Sequence, residues 1–170
     1  MKHFDLVLTR RGVRFMGQYW PCMIGRGAVR RDKREGDGAT PVGCHQIVGM
    51  LYRPDRIAAP VPWASSIRPG DLWSDASGHA DYNQLVRFPY DHSHEALRRA
   101  DPLYDIVLIT DWNWPVAAAG RGSAIFLHRW RRPGYPTEGC VAFRPDHLVR
   151  IASRLTMSSR LIVPESLAVD

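Results

Sequence analysis

The 170-residue chain has no long apolar run. Nothing approaches the roughly 18 consecutive apolar residues a membrane helix needs, so no membrane span is expected. Its start, Met1-Lys2-His3-Phe4-Asp5-Leu6-Val7-Leu8, turns polar at Thr9-Arg10-Arg11, too soon for an export signal. Cysteine is scarce: Cys22, Cys44 and Cys140. An odd count leaves at least one thiol outside any intrachain disulfide. Cys22 and Cys44 either pair or remain two buried thiols, and buried thiols are expected. There is no internal repeat, no low-complexity run and no phosphate-loop pattern, because no Lys is followed by Ser or Thr. The histidines at 92 and 94 lack further ligands at metal-binding spacing, so neither a metal nor a cofactor is expected.

What is present is a globular composition, 45% hydrophobic and 24% charged, with a net charge of +6. That charge favours acidic partners in general. Arg26, Arg30, Arg31, Lys33 and Arg34 form a cluster, interrupted by Asp32, Glu35 and Asp37, which reads as a solvated loop. A basic stripe interleaved with aromatics, the mark of a nucleic-acid surface, is not evident, so no nucleic acid is expected. The length suits one domain, residues 1–170.

Scattered Gly and Pro suit many short strands joined by turns. Phe4–Thr9, Gly12–Met16, Tyr19–Ile24 and Gly43–Tyr52 read as strands. Gly25–Gly38 reads as a polar loop, and Pro54–Gly78 as an irregular insertion. Tyr82–Phe88 is a strand candidate. Ser93–Arg99, with Ser93 as N-cap, reads as a short helix. Asp105–Thr110 and Ser123–His128 are the clearest buried strands. Pro145 and Asp146 open a helix whose Leu148, Ile151, Ala152 and Leu155 share a face. Arg160–Val163 is a last strand. The class is mainly β with one or two helices.

The chemistry lies in Ala124–Phe143. An apolar strand ends in His128, a Pro/Gly-rich loop follows, and then comes Thr137-Glu138-Gly139-Cys140-Val141, with Cys140 twelve positions after His128. A free thiol, with a pKa near about 8.5, is only slightly ionised at neutral pH. A neighbouring imidazole that takes its proton leaves a strong nucleophile. Gly139 lets a carbonyl approach the backbone, and N–H groups around Gly139–Val141 are candidates to hold the oxyanion. No Asp or Asn stands out to orient the imidazole; the carbonyl of Arg129 is the candidate. Tyr82, Asn83, Tyr104, Trp112 and Asn113 are candidate groove walls. Arg121 and Ser123, just before the His strand, are candidates to line the site.

At these residues the chain resembles the L,D-transpeptidase catalytic domain (YkuD) family, closest to its short stand-alone branch. The pieces are Asp37-Gly38-Ala39-Thr40-Pro41-Val42-Gly43, Tyr82-Asn83-Gln84-Leu85-Val86, Leu103-Tyr104-Asp105 and the His128…Thr137-Glu138-Gly139-Cys140-Val141 block. The resemblance implies a β-rich fold with the cysteine in a groove, and acyl transfer on peptidoglycan stem peptides. It implies Cys140 as nucleophile, His128 as base, Arg129 as orienter and Gly139–Cys140 as oxyanion site. Thr137 and Glu138 fall in the substrate region, with Glu138 a candidate partner for an acceptor amine. Many members carry His before the Gly-Cys pair and Arg or Asn two residues after it; here Glu138 and Ala142 stand there. Carbapenem-type inhibitors, a monomer and an envelope location are the corresponding expectations. Hydrolysis at the same site, as an L,D-carboxypeptidase or endopeptidase, is an alternative. A non-catalytic basic binding module is another.

Overall fold

The computed structural model describes residues 3–169. In chain order these form β1 (Asp5–Thr9), β2 (Gly12–Phe15), β3 (Gln18–Trp20), β4 (Cys22–Met23), β5 (Val29–Arg30), β6 (Thr40–Pro41), β7 (Gly43–Tyr52), β8 (Ser65–Ser66), β9 (Asp71–Ser74), β10 (Leu85–Arg87), β11 (His94–Ala96), β12 (Ile106–Thr110), β13 (Phe126–Arg129), β14 (Val141–Phe143), the helix α1 (Pro145–Ala152) and β15 (Arg160–Val163). The main sheet runs β3-β2-β1-β15-β7-β12-β13-β14-β4, with β8 added to β7. Its two end strands, β3 and β4, are separated only by Pro21, so the chain steps from one edge to the other and the sheet nearly closes. Pro21 explains why the expected strand Tyr19–Ile24 breaks in two: it has no N–H for a continuous ladder.

Cores lie on both faces of this sheet. In β12 and β13, Ile106, Leu108 and Leu127 enter the larger core, while Val107 and Phe126 enter a second one with Leu51, Ile67, Trp73, Leu97 and Tyr104. Burial on both faces is why these strands are apolar throughout rather than alternating. The larger core is closed by α1 through Leu148, Ile151 and Ala152, with Leu155 just beyond it. Pro145 occupies its first turn and Asp146 sits at the positive end of its dipole, as the sequence predicts.

Several expectations are corrected. Ser93–Arg99 is not helical: His94–Ala96 is β11, paired antiparallel to β9, with Glu95 opposite Trp73. Helix formers occupy the segment, and sheet pairing overrides their weak preference. Of Tyr82–Phe88 only Leu85–Arg87 is strand; Tyr82 and Asn83 form the preceding turn, with Asn83 at φ +59. The Pro54–Gly78 insertion contributes β8 and β9, and the Gly25–Gly38 loop contains β5. All three cysteines are free; Cys22 is half-buried and Cys44 exposed, so Cys44 is not the buried thiol expected. Lys33 is not solvated either. Its side chain is 4% exposed and pairs with Asp37 at 2.6 Å.

Candidate active site

The site is built by the parallel pairing of β13 and β14. Parallel neighbours need a long return connection, and the segment from Trp130 to Cys140 supplies it. The register sets Leu127 beside Val141 and His128 beside Ala142. Cys140 therefore stands beside Phe126, and its side chain shares a face with Phe126 and His128. His128 and Cys140 are thus a diagonal pair on one face of the sheet.

Two contacts fix the sulfur. The Phe126 N–H donates to Sγ at 3.3 Å, and the thiol faces the carbonyl of Ala124 at 3.6 Å. Burial pushes the Cys140 thiol up to about 12. The Phe126 N–H and the Lys33 charge pull it down, and the Glu95 charge pushes it further up. His128 is 8% exposed. Its Nδ1 lies 2.7 Å from the carbonyl oxygen of Arg129. A carbonyl only accepts, so Nδ1 carries the proton and Nε2 is left as the basic nitrogen. Burial brings the His128 pKa down to about 4, with Arg99 and Arg131 adding to the effect and the Arg129 carbonyl opposing it. Tyr104 meets the imidazole edge-on, with ring centroids 5.3 Å apart. The site therefore holds a neutral thiol and a neutral imidazole, and Sγ is engaged by the Phe126 N–H and the Ala124 carbonyl. Such hydrogen bonds commonly tighten only when substrate arrives.

The turn before Cys140 is braced from behind. Thr137 Oγ1 donates to the Cys140 carbonyl at 2.6 Å and accepts from the Gly139 N–H at 3.2 Å. Gly139 has φ +136, and a Cβ there would sit 2.8 Å from the carbonyl oxygen of Ala39. Buried Thr40 accepts from the Gly25 N–H at 3.0 Å and donates to the Gly139 carbonyl at 2.7 Å. The Ala39-Thr40 part of the Asp37–Gly43 segment is thus the support on which the cysteine turn rests.

Cys140 and His128 open into one cavity of ≈ 580 Å³, a size suited to a peptide-like ligand. Its lining includes Lys33, Glu35, Gly36, Trp73, Asp75, Glu95, Arg99, Ser123–Ile125, Arg131 and Tyr135–Glu138. Of the residues expected at the site, Tyr104, Ser123, Thr137 and Glu138 line it, and Trp112 and Asn113 do not. Glu138 is exposed and pairs with Arg26 at 2.7 Å. Arg129 offers its carbonyl. Tyr82 and Asn83 do not line the cavity. The Tyr82 hydroxyl donates to Glu35, and Asn83, 1% exposed, spends its amide on the Trp112 and Asn113 carbonyls and on Trp73 Nε1. Arg121 stacks over the Trp112 ring at 4.9 Å instead. Sequence reasoning missed Lys33, Glu95 and Arg99. Glu95 becomes visible only once β11 is paired with β9. Among the described residues no group of three or more His, Cys, Asp or Glu is placed to hold a metal ion, although His79 and His92 stack at 3.9 Å.

A β-rich sheet that nearly closes and presents a Cys and a His on adjacent parallel strands in one cleft is the frame of a cysteine acyl-transfer domain. The family described as L,D-transpeptidase catalytic domain (YkuD) matches residues 2–163, and the chain belongs to it. This is a family of cysteine acyltransferases acting on peptidoglycan peptides. No curated protein matches the chain. Among the described residues no helix is long and apolar enough to cross a membrane.

Proposed function

We propose that the chain is a peptidoglycan L,D-transpeptidase acting as one catalytic domain over residues 1–170. The observation that carries this reading is the shared strand face of Cys140 and His128, with Nδ1 of the imidazole held by the Arg129 carbonyl. The donor is a stem tetrapeptide. Cys140 Sγ attacks the carbonyl of the diamino acid while His128 Nε2 takes the thiol proton. The oxyanion forms beside the Cys140 N–H, which lies against its own sulfur. Gly139 contributes its left-handed backbone rather than its N–H, which Thr137 already holds. When the C–N bond breaks, His128 returns the proton to the departing D-alanine amine and a thioester remains. An acceptor amine then attacks the thioester, its proton passes to His128, and Sγ leaves as thiol. Glu138, exposed at the rim, is placed to meet a cationic acceptor.

The pKa values of Cys140 and His128 give this scheme a condition. A thiol near 12 beside an imidazole near 4 does not exchange its proton at rest. The transfer belongs with attack, when the bound carbonyl accepts the charge as it forms. The scheme places the activity in the envelope, where stem peptides lie, and makes a carbapenem a candidate acylating inhibitor of Cys140. The test is incubation of wild type and Cys140→Ala with disaccharide tetrapeptide, followed by mass spectrometry. Cross-linked dimers or exchanged D-amino acids from the wild type alone support the proposal. Tripeptide alone assigns a hydrolase, and identical behaviour of the two proteins refutes the enzymatic reading.

A further inference from the structure

Lys33 is an unusual residue to find in the wall of a catalytic cavity. Lysine is rarely buried without a reason, yet this side chain is 4% exposed. Its ammonium donates to Asp37 Oδ1 at 2.6 Å and to the Arg34 carbonyl at 2.6 Å. Gly122 leaves it room: a Cβ there would stand 3.2 Å from Nζ. The loop that carries Lys33 is tied down by the Glu35 N–H donating to the Gly120 carbonyl at 2.8 Å. The charge is therefore fixed in place.

The ion pair is also oriented. Asp37 is the more exposed partner, at 20% of its side chain, and it does not line the cavity. Lys33 does, together with Cys140. Lys33 thus stands in the wall of the cavity that holds Cys140, while its counter-charge lies outside the lining and nearer to solvent. Lys33 is too enclosed to act as a ready contact for a ligand, so its reach into the cavity is through its field. The other charged and titratable groups of this lining are the acids Glu35, Asp75, Glu95 and Glu138, the imidazoles of His94 and His128, the cations Arg99 and Arg131, and the Tyr104 and Tyr135 phenols.

We propose that Lys33 is an electrostatic positioning residue: its buried ammonium, held by Asp37 in the wall of the catalytic cavity, stabilises negative charge at the Cys140 sulfur. This offsets the carboxylate of Glu95 in the same lining, since Lys33 pulls the Cys140 thiol down where Glu95 pushes it up. The proposal rests on Cys140 being the reacting sulfur, but its test needs no peptidoglycan.

The experiment is alkylation of the folded protein by iodoacetamide from pH 7 to 10, with the Cys140 peptide quantified by mass spectrometry so that Cys22 and Cys44 do not contribute. Below its pKa a thiol reacts in proportion to its thiolate fraction, tenfold per unit of pKa. Lys33→Met is expected to slow Cys140 alkylation by about tenfold at fixed pH, the size of effect an ion at cavity distance exerts at an effective dielectric constant near 20. Lys33→Arg is expected to restore most of the rate. Asp37→Asn keeps the ammonium and removes its counter-charge, so it is expected to speed alkylation. A purely structural ion pair predicts that Lys33→Met and Asp37→Asn change the rate in the same direction; that result, or a Lys33→Met profile matching wild type, overturns the proposal. If Lys33→Met does not fold, Lys33→Arg and Asp37→Asn decide: a rate near wild type for the first and a faster one for the second support it, and any other pair refutes it. Should wild type alkylate as expected yet process no stem peptide, the transpeptidase reading fails while this one stands.

Discussion

Thr40→Val removes the hydroxyl that supports the cysteine turn while keeping the side chain's shape. In the wild type this hydroxyl is fully buried, accepts from the Gly25 N–H and donates to the Gly139 carbonyl. Both glycines are themselves buried. A buried donor or acceptor left without its partner costs about 1–3 kcal/mol. Two such groups give a loss of about 2–6 kcal/mol in unfolding free energy, a large share of the roughly 5–15 kcal/mol available to a domain. The protein is still expected to fold at 25 °C. Gly139 loses the bond that fixes its carbonyl, and the Cys140 turn shifts with it. A displacement of about 1 Å at a reacting group is enough to cost about 100-fold in rate, so acylation is expected to fall about 10–100-fold. Urea titration gives the stability, and release of D-alanine from a tetrapeptide donor, measured on folded protein, gives the rate. Thr40→Ser keeps the hydroxyl and loses one methyl, about 1 kcal/mol, with acylation near wild type. If Thr40→Val is as stable as wild type to within about 0.5 kcal/mol and acylates at the same rate, the support role is wrong.

Two further predictions follow from the same geometry. Gly139→Ala forces a Cβ into a left-handed backbone and to 2.8 Å from the Ala39 carbonyl oxygen; loss of about 1–3 kcal/mol or more, read by urea titration, and loss of acylation are expected, and a fully active variant contradicts the assigned turn. His128 has a folded pKa of about 4 against an ordinary 6.5, so between those values the unfolded chain binds more protons than the folded one. Stability therefore falls as pH is lowered from about 6.5 to about 4, by up to about 3 kcal/mol from this residue. His128→Asn is expected to flatten that part of a stability–pH curve, and an unchanged slope contradicts the buried neutral imidazole.

Residues 124–143 were legible because their chemistry and folding signals coincide. Ile125–Leu127 form an apolar run that must be buried, and a Gly-Cys pair followed by Val-Ala-Phe returns to the same sheet. Helix α1 was equally plain, since Pro145, Asp146 and the apolar face all agree. The Glu95 wall was not legible. His94-Glu95-Ala96-Leu97 carries helix formers, and only long-range pairing with Trp73 makes it a strand that aims Glu95 into the cavity. Lys33 was hidden for a related reason. In sequence it belongs to a run of charges that reads as solvated, and nothing local shows that Gly122, ninety positions away, leaves space for it. Tyr82 and Asn83 misled in the opposite sense: polar aromatic and amide groups suited to a groove are consumed by Glu35, Trp73 and two backbone carbonyls.

The central claim is that Cys140 carries the acyl group with His128 as its base. Intact-mass analysis of enzyme quenched during turnover of a disaccharide tetrapeptide, with peptide mapping of the adduct, tests it most directly. The predicted result is a thioester on Cys140 with the mass of the donor less D-alanine, absent in Cys140→Ala and strongly reduced in His128→Asn. An adduct on Cys22 or Cys44, or turnover that persists without Cys140, would contradict it.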